Sequence, residues 1–217
     1  NCAETRWAAR HTAARAARTP GPMPTEASTL QAPLLRWYRT VARDLPWRRD
    51  PQPWAVWVSE IMCQQTRVDS VIPYFERFMA RFPTPTALAT ALLEEAIDLW
   101  AGLGYYSRAR NIHKSAKLFS IRGFPSQWKE LIEFPGIGDY CSRAISSFAF
   151  HEKVGVLDGN VVRFLSRYYG AAEEFWTSLG KNNLQGFSDT WAQESPEIVN
   201  QAMMELGATI CLPKTPH

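Results

Sequence analysis

Apolar residues recur along this chain at helical spacing from Leu30 onward. Leu34, Leu35, Tyr38 and Val41 follow the spacing of an amphipathic helix. The stretch from Asp44 to Pro53 breaks that pattern, because proline cannot continue a helix and restricts the residue before it. Beyond it the pattern predicts helices over 54–67, 69–81, 85–90, 93–101, 106–121, 126–133, 139–150, 158–169, 178–193 and 195–210. Pro83, Pro85, Gly102, Gly104, Pro125, Pro135, Gly136 and Gly138 mark the breaks between them. No alternating strand pattern interrupts the series. The expected fold class is all-α, built from short helices and tight connections.

One position in the second helix does not suit its surroundings. Glu60 stands in the middle of Trp54-Ala-Val-Trp-Val-Ser-Glu-Ile-Met-Cys-Gln-Gln-Thr66, a run dense in aromatic and branched residues. Burying an ionised carboxylate there is costly, so Glu60 either faces water or holds its proton and is prepared for acid chemistry. Gln64, four residues on, shares its helix face.

The sharpest local motif is Pro135-Gly-Ile-Gly138, which joins one amphipathic helical turn to another within 131–145. Gly136 and Gly138 permit positive φ and close approach of the backbone, and the helix start that follows presents free N–H groups to an anion. The pattern is a helix-hairpin-helix, whose usual partner is a DNA phosphate held without regard to base sequence. Further on, Asp158 opens a helical pattern in Leu157-Asp-Gly-Asn-Val161. Taken alone it reads as an N-cap; Gly159 and Asn160 beside it leave room for a ligand and add an amide.

Composition narrows the setting. Across 217 residues, hydrophobic residues make up 46% and charged residues 21%, with a net charge of +3, which permits a nucleic-acid partner without requiring one. No apolar run is long enough to cross a membrane. Cys2, Cys63, Cys141 and Cys211 are scattered without a paired spacing, which argues for a reduced, intracellular setting. Cys63 and Cys141 read as small buried hydrophobes. Residues 1–29 are rich in Ala, Arg, Pro and Thr and read as a disordered tail, or as a targeting or upstream segment; the catalytic domain is expected over 30–217.

From about Leu34 onward the chain resembles the adenine DNA glycosylases of the MutY type, within the helix-hairpin-helix glycosylases that include endonuclease III. The resemblance is carried by LPWR at 45–48, WVSEIMCQQTRV at 57–68, VIPYFERFMARFPT at 71–84, GLGYYSRARN at 102–111, PGIG at 135–138, LDGNVVR at 157–163 and NQAMMELGATIC at 200–211. It implies a two-lobed helical fold gripping double-stranded DNA, and removal of an adenine mispaired with 8-oxoguanine or guanine after the base is flipped out. Glu60 matches the general acid, and Asp158 the carboxylate that stabilises the positive sugar, much as paired carboxylates serve glycoside hydrolysis. Tyr140 and Asn160 match supporting positions. Tyr140 stands where lyase relatives carry a Schiff-base lysine, so a non-lyase enzyme is implied.

By the same resemblance Arg43, Leu45, Trp47, Arg48 and Gln201 line the adenine pocket. Gln64, Gln65, Thr66, Leu103, Gly104, Tyr105, Arg108, Pro135, Gly136 and Gly138 are expected to meet DNA. Among them Gln65 and Tyr105 match wedges that enter the base stack, while Arg108 is a candidate phosphate contact. The family carries a four-cysteine [4Fe-4S] motif. Here Cys211 matches the first ligand and the sequence is expected to stop one residue short of the second. Asp139 departs from the basic or neutral residue usual after the hairpin, and predicts weakened affinity for an anion. The implied agent is a monomer, in the cytoplasm or nucleoid of a bacterium or the nucleus or mitochondrion of a eukaryote. The competing readings are a non-catalytic helix-hairpin-helix DNA-binding fragment and a glycosylase/lyase for oxidised pyrimidines.

Overall fold

Twelve helices account for the regular structure of the computed structural model, which describes residues 27–171 and 174–216. They are α1 (Ala27–Val41), α2 (Pro46–Arg49), α3 (Pro53–Cys63), α4 (Val68–Arg81), α5 (Pro85–Ala89), α6 (Leu93–Trp100), α7 (Ser107–Arg122), α8 (Trp128–Leu131), α9 (Asp139–Phe150), α10 (Gly159–Tyr168), α11 (Ser178–Trp191) and α12 (Pro196–Thr209). Among the described residues there is no strand, and no helix is long and apolar enough to cross a membrane. Most of the tail expected over 1–29 lies outside the described residues; α1 begins at Ala27, three residues ahead of the expected helix.

Two other boundaries differ from the sequence pattern. The proline-rich break holds the single helical turn α2, because Pro46 sits at its first position, where a missing N–H costs nothing. Helix α3 stops at Cys63 rather than 67, and Gln65 beyond it adopts a left-handed backbone with φ +58°.

The helices form two lobes. In one, α3 packs on α4, α7 and α9, while α5 and α6 pack on α7. Its centre is aromatic: Trp57, Trp100, Phe78 and Phe82 are fully buried, and Trp57 meets Phe119 edge-on with centroids 5.4 Å apart. In the other, α10 lies between α11 and α12, and α1 packs across α11 and α12 around Trp191, Leu165 and Met203. Helix α9 bridges the lobes, touching α3 on one side and α12 on the other.

Close approach between α12 and the start of α10 depends on Gly207. A Cβ there would fall 2.6 Å from both the Cβ and the carbonyl oxygen of Asn160, too close for any real contact. Gly207→Ala is expected to lower stability by about 1–3 kcal/mol through overpacking. Gly186→Ala, in an open part of α11 with no atom near the new methyl group, should instead be neutral or stabilise by about 0.5–1 kcal/mol. Urea unfolding of the two variants checks the contrast.

Candidate active site

The cleft between the lobes begins with the pairing of α3 and α9. Helix α3 is apolar nearly all round, so its turns are buried from Trp54 to Met62 and its one acid is carried inward with them. Glu60 then meets Tyr140, the second residue of α9, whose hydroxyl donates to Oε2 at 2.7 Å. One turn further on, the Gln64 amide reaches Cys141 Sγ at 3.3 Å.

Asp158 enters from the opposite side, at the start of α10. Its Oδ1 accepts from the Val161 N–H at 2.7 Å, and its Oδ2 from the Asn160 amide at 2.9 Å. It is an N-cap and a cleft carboxylate at once. The loop carrying it is pinned from three helices. Buried Asn200 of α12 accepts from the Val156 N–H at 3.1 Å and donates to the Val154 carbonyl at 2.9 Å. Ser188 of α11 donates to the Val156 carbonyl at 2.7 Å, and Ser147 of α9 accepts from Asn200 at 2.8 Å.

Together these elements enclose a cavity of about 350 Å³. Its walls include Glu60, Tyr140, Asp158 and Asn160, the pocket candidates Arg43, Leu45, Trp47, Arg48 and Gln201, and also Gln64 and Thr66. Leu45 and Trp47 are buried and supply apolar wall. Tyr38 orients Gln201 by donating to Oε1 at 3.1 Å. The arginines are held by Glu205, which is 1% exposed: it accepts from Arg43 Nε at 2.6 Å and Nη2 at 3.1 Å, and from Arg48 Nη2 at 3.1 Å. Sequence reasoning missed Glu205, although it carries the same signal as Glu60, a lone acid in the apolar run of a helix.

The remaining candidates fall outside the cavity. Gln65 and Tyr105 are exposed, and both have left-handed backbones, with φ +58° and +49°. Gly104 lies in the same loop with φ +70°. Two of these candidates are buried. Leu103 is 8% exposed and belongs to the core. Arg108 is equally buried; its Nη1 and Nη2 are bound to five backbone carbonyls and its Nε is sequestered, which leaves no donor for a phosphate. Pro135, Gly136 and Gly138 form the tight turn before α9, with Ile137 buried beneath it. A Cβ on Gly136, whose φ is +83°, would fall 2.7 Å from the Asn111 Cβ.

Asp139 does not stand as a free charge beside that turn. It pairs with Arg143 one turn along α9 and with Lys181 of α11, each at 3.1 Å. Its carboxyl lies below the usual range: burial alone would raise it, but these two cations outweigh burial. The expected repulsion of an anion is therefore offset within the protein.

Cys211 lies apart from the cleft, with Arg167 Nη1 3.2 Å from its sulfur. Among the described residues no three His, Cys, Asp or Glu side chains gather as metal ligands. These residues do not by themselves hold a four-ligand cluster.

The sequence model described as HhH-GPD superfamily base excision DNA repair protein matches residues 58–178. The chain is 41% identical over 204 residues to the adenine DNA glycosylase of Homo sapiens, covering 88% of this chain and 37% of that protein. To its namesake from Mycobacterium tuberculosis it is 36% identical over 189 residues, covering 85% and 62%. The chain thus spans roughly two fifths to three fifths of these relatives' length. Among solved structures, a thermostable thymine-DNA glycosylase superimposes with a TM-score of 0.80 at 23% identity, over 88% of this chain and 90% of that one. A non-covalent endonuclease III–DNA complex gives 0.73 at 18% identity, over 90% and 91%. Both share the fold.

Electrostatics separates the two cleft carboxylates. Burial raises Glu60 from 4.5 to about 7; Asp158 nearby adds to the rise, while the Tyr140 hydroxyl and Arg48 oppose it. Asp158 is also raised, chiefly by burial, but its N–H partners favour the charged form. The thiols of Cys63 and Cys141 are pushed up to about 12 by burial and by Glu60, so they remain neutral.

The Glu60 shift has a consequence for stability. Between pH 4.5 and 7 the folded chain holds a proton at Glu60 that the unfolded chain has released, so this group's contribution falls as pH rises and levels off above 7. By pH 8 the loss is roughly 3 kcal/mol. Glu60→Gln should therefore exceed the parent in stability by about that amount at pH 8, and the gap should close near pH 4.5. Denaturant unfolding at the two pH values measures it.

Proposed function

Because the chain belongs to the HhH-GPD superfamily of base excision DNA repair proteins, we propose that it acts as a monofunctional adenine DNA glycosylase. Its substrate is double-stranded DNA carrying adenine opposite 8-oxoguanine or guanine. The observation that carries this reading is the pairing of Glu60 and Asp158 in one cleft, with Glu60 poised near neutrality at about 7. The likeness to curated adenine DNA glycosylases supports it.

In this reaction Glu60 gives its proton to a ring nitrogen of the extruded adenine. The bond between the base and the sugar C1′ breaks, its electron pair leaves with the base, and positive charge develops on the sugar. Asp158, whose charged form the Val161 N–H and the Asn160 amide favour, stabilises that charge. Water then adds to C1′ and returns a proton to the Glu60 carboxylate. Tyr140 aligns Glu60 through its hydroxyl. Among the described residues no lysine lines the cavity, and the reading involves no Schiff base. Arg43, Leu45, Trp47, Arg48 and Gln201 form the adenine pocket.

DNA is gripped by the turn at Pro135, Gly136 and Gly138, where the N–H groups opening α9 face a phosphate. Gln65 and Tyr105 fill the stack that the base leaves. In this reading the chain acts as a monomer. Cys211 would be one ligand of the family's [4Fe-4S] cluster, a group that takes no part in these steps.

Incubation with a duplex bearing adenine opposite 8-oxoguanine, under single-turnover conditions, tests the proposal. The parent should release free adenine, and Glu60→Gln or Asp158→Asn should slow release by roughly 10²–10⁴-fold. Salt-sensitive DNA binding without release would favour a non-catalytic DNA-binding protein, and a borohydride-trapped adduct would favour a lyase.

The pH dependence follows from Glu60. Excision should be fastest below pH 7 and fall about tenfold per unit above it, as the acid loses its proton. Tyr140→Phe removes a hydrogen bond that favours the ionised carboxylate, so the falling limb should move to higher pH even as the rate drops. A limb that stays in place would remove Glu60 as its source.

A further inference from the structure

Arg108 occupies an unusual position for a buried cation. Its Nη1 donates to the carbonyls of Ile61 at 2.9 Å, Met62 at 3.3 Å and Gln64 at 2.6 Å. Its Nη2 donates to the carbonyls of Leu103 at 3.0 Å and Gly104 at 3.3 Å. The first set closes the C-terminal end of α3, where carbonyls are otherwise unpaired and a cation is favoured. The second set belongs to the loop between α6 and α7. The guanidinium also lies 5.3 Å from the Tyr105 ring and 5.7 Å from the Trp100 ring. Two loops with no helix in common are thus tied to one planar group.

Each tie ends one residue short of a wedge candidate. The residue after Gln64 is Gln65, and the residue after Gly104 is Tyr105. Both project into solvent from left-handed backbones, a conformation that is uphill for a side chain bearing a Cβ. Untethered, each segment would relax toward extended backbone, and its side chain would change direction. Strain of this kind persists where surrounding bonds over-determine the geometry, and the five carbonyl bonds to Arg108 provide that.

We propose that Arg108 is a positioning residue for base extrusion, one guanidinium that sets the Gln65 and Tyr105 wedges in a common frame. The proposal rests on the reading of the cleft as a glycosylase site. Both wedges must enter the stack together when the base leaves, and a shared tether fixes their spacing before DNA arrives. The fork geometry is the requirement. A lysine carries the charge but has three donors on one atom and cannot reach both loops in the same way.

The test uses Glu60→Gln as background, so that the bound base stays uncut, and a duplex with 2-aminopurine in the adenine position opposite 8-oxoguanine. Binding should raise the emission severalfold as the base unstacks. Adding Arg108→Lys or Arg108→Gln should abolish most of that rise, while the Kd for the duplex changes less than about threefold because the phosphate grip lies elsewhere. The Gln65→Ala/Tyr105→Ala pair should lose a similar share, and adding Arg108→Lys to it should cost less than about twofold more, since residues acting as one unit are not additive. A full emission rise in the Arg108 variants, or losses that multiply independently, would overturn the assignment. Failure of both Arg108 variants to fold would also overturn it, by making Arg108 a folding residue. If the Glu60→Gln background gives no rise at all, the reading of the cleft fails before Arg108 is reached.

Discussion

The hydrogen bond from Tyr140 to Glu60 is where the two halves of the molecule's chemistry meet. It exists because α3 and α9 pack face to face, and α9 is the helix that touches both lobes. The same helix opens directly from the Pro135–Gly138 turn. Tyr140 lies two residues beyond Gly138, about 3 Å along the axis at roughly 1.5 Å per residue. The hairpin turn and the hydrogen-bond partner of Glu60 are therefore carried on one rigid element. A phosphate seated at the start of α9 would fix, through that helix, the register of the target strand relative to Glu60. Sliding α9 against α3 would disturb both functions at once.

Three acids stand around the cleft, and each meets the cost of burial differently. Glu60 has one hydroxyl donor and apolar neighbours, so it shifts toward its neutral form. Asp158 has a backbone N–H and an amide that favour its charged form, and the Arg163 cation acts in the same direction. Glu205 takes two guanidiniums. Removing one partner of such a buried cluster leaves uncompensated charge, which is far costlier than the cluster is stabilising. These settings divide the work: an acid that can give a proton, an anion that can face a cation, and a fixed post for the arginines. Type of residue alone would not have separated them.

The helices were legible in the sequence because their signals are local. Apolar spacing marked the faces, and proline and glycine marked the ends, so boundaries differ by only a few residues. The hairpin and the anomaly of Glu60 were legible for the same reason. The convergence of Glu60 and Asp158 was not, since nothing in spacing brings together positions so far apart; it entered only through resemblance. Arg108 shows the opposite failure. An arginine early in a helix after an aromatic loop reads as solvated, and only the fold brings two sets of carbonyls to it. Glu205 was readable by the rule applied to Glu60, but it stands inside a longer motif whose resemblance hides the anomaly of any single residue. Asn200, buried and bridging the Asp158 loop to α9, has no local signal, because its partners lie 44 or more positions away.

Asp139 shows why a charge read from sequence needs its neighbours. Beside the hairpin it should repel an anion, yet Arg143 and Lys181 face it, and Arg143 also stacks over Trp128 at 4.0 Å. Arg143 reaches further, to Asp189 of α11 at 3.2 Å. Asp189 in turn accepts from the Gly155 N–H at 2.7 Å, and Gln185 donates both to Asp189 and to the Gly155 carbonyl. Partly exposed ion pairs contribute little singly. Here they join in series, from the turn that opens α9 to the loop that delivers Asp158. The acid expected to weaken the hairpin is the first member of a strut between the hairpin turn and the loop that carries Asp158. Its effect on binding therefore depends on how far a phosphate draws Lys181 and Arg143 away from it, and its effect on geometry depends on how far it keeps them.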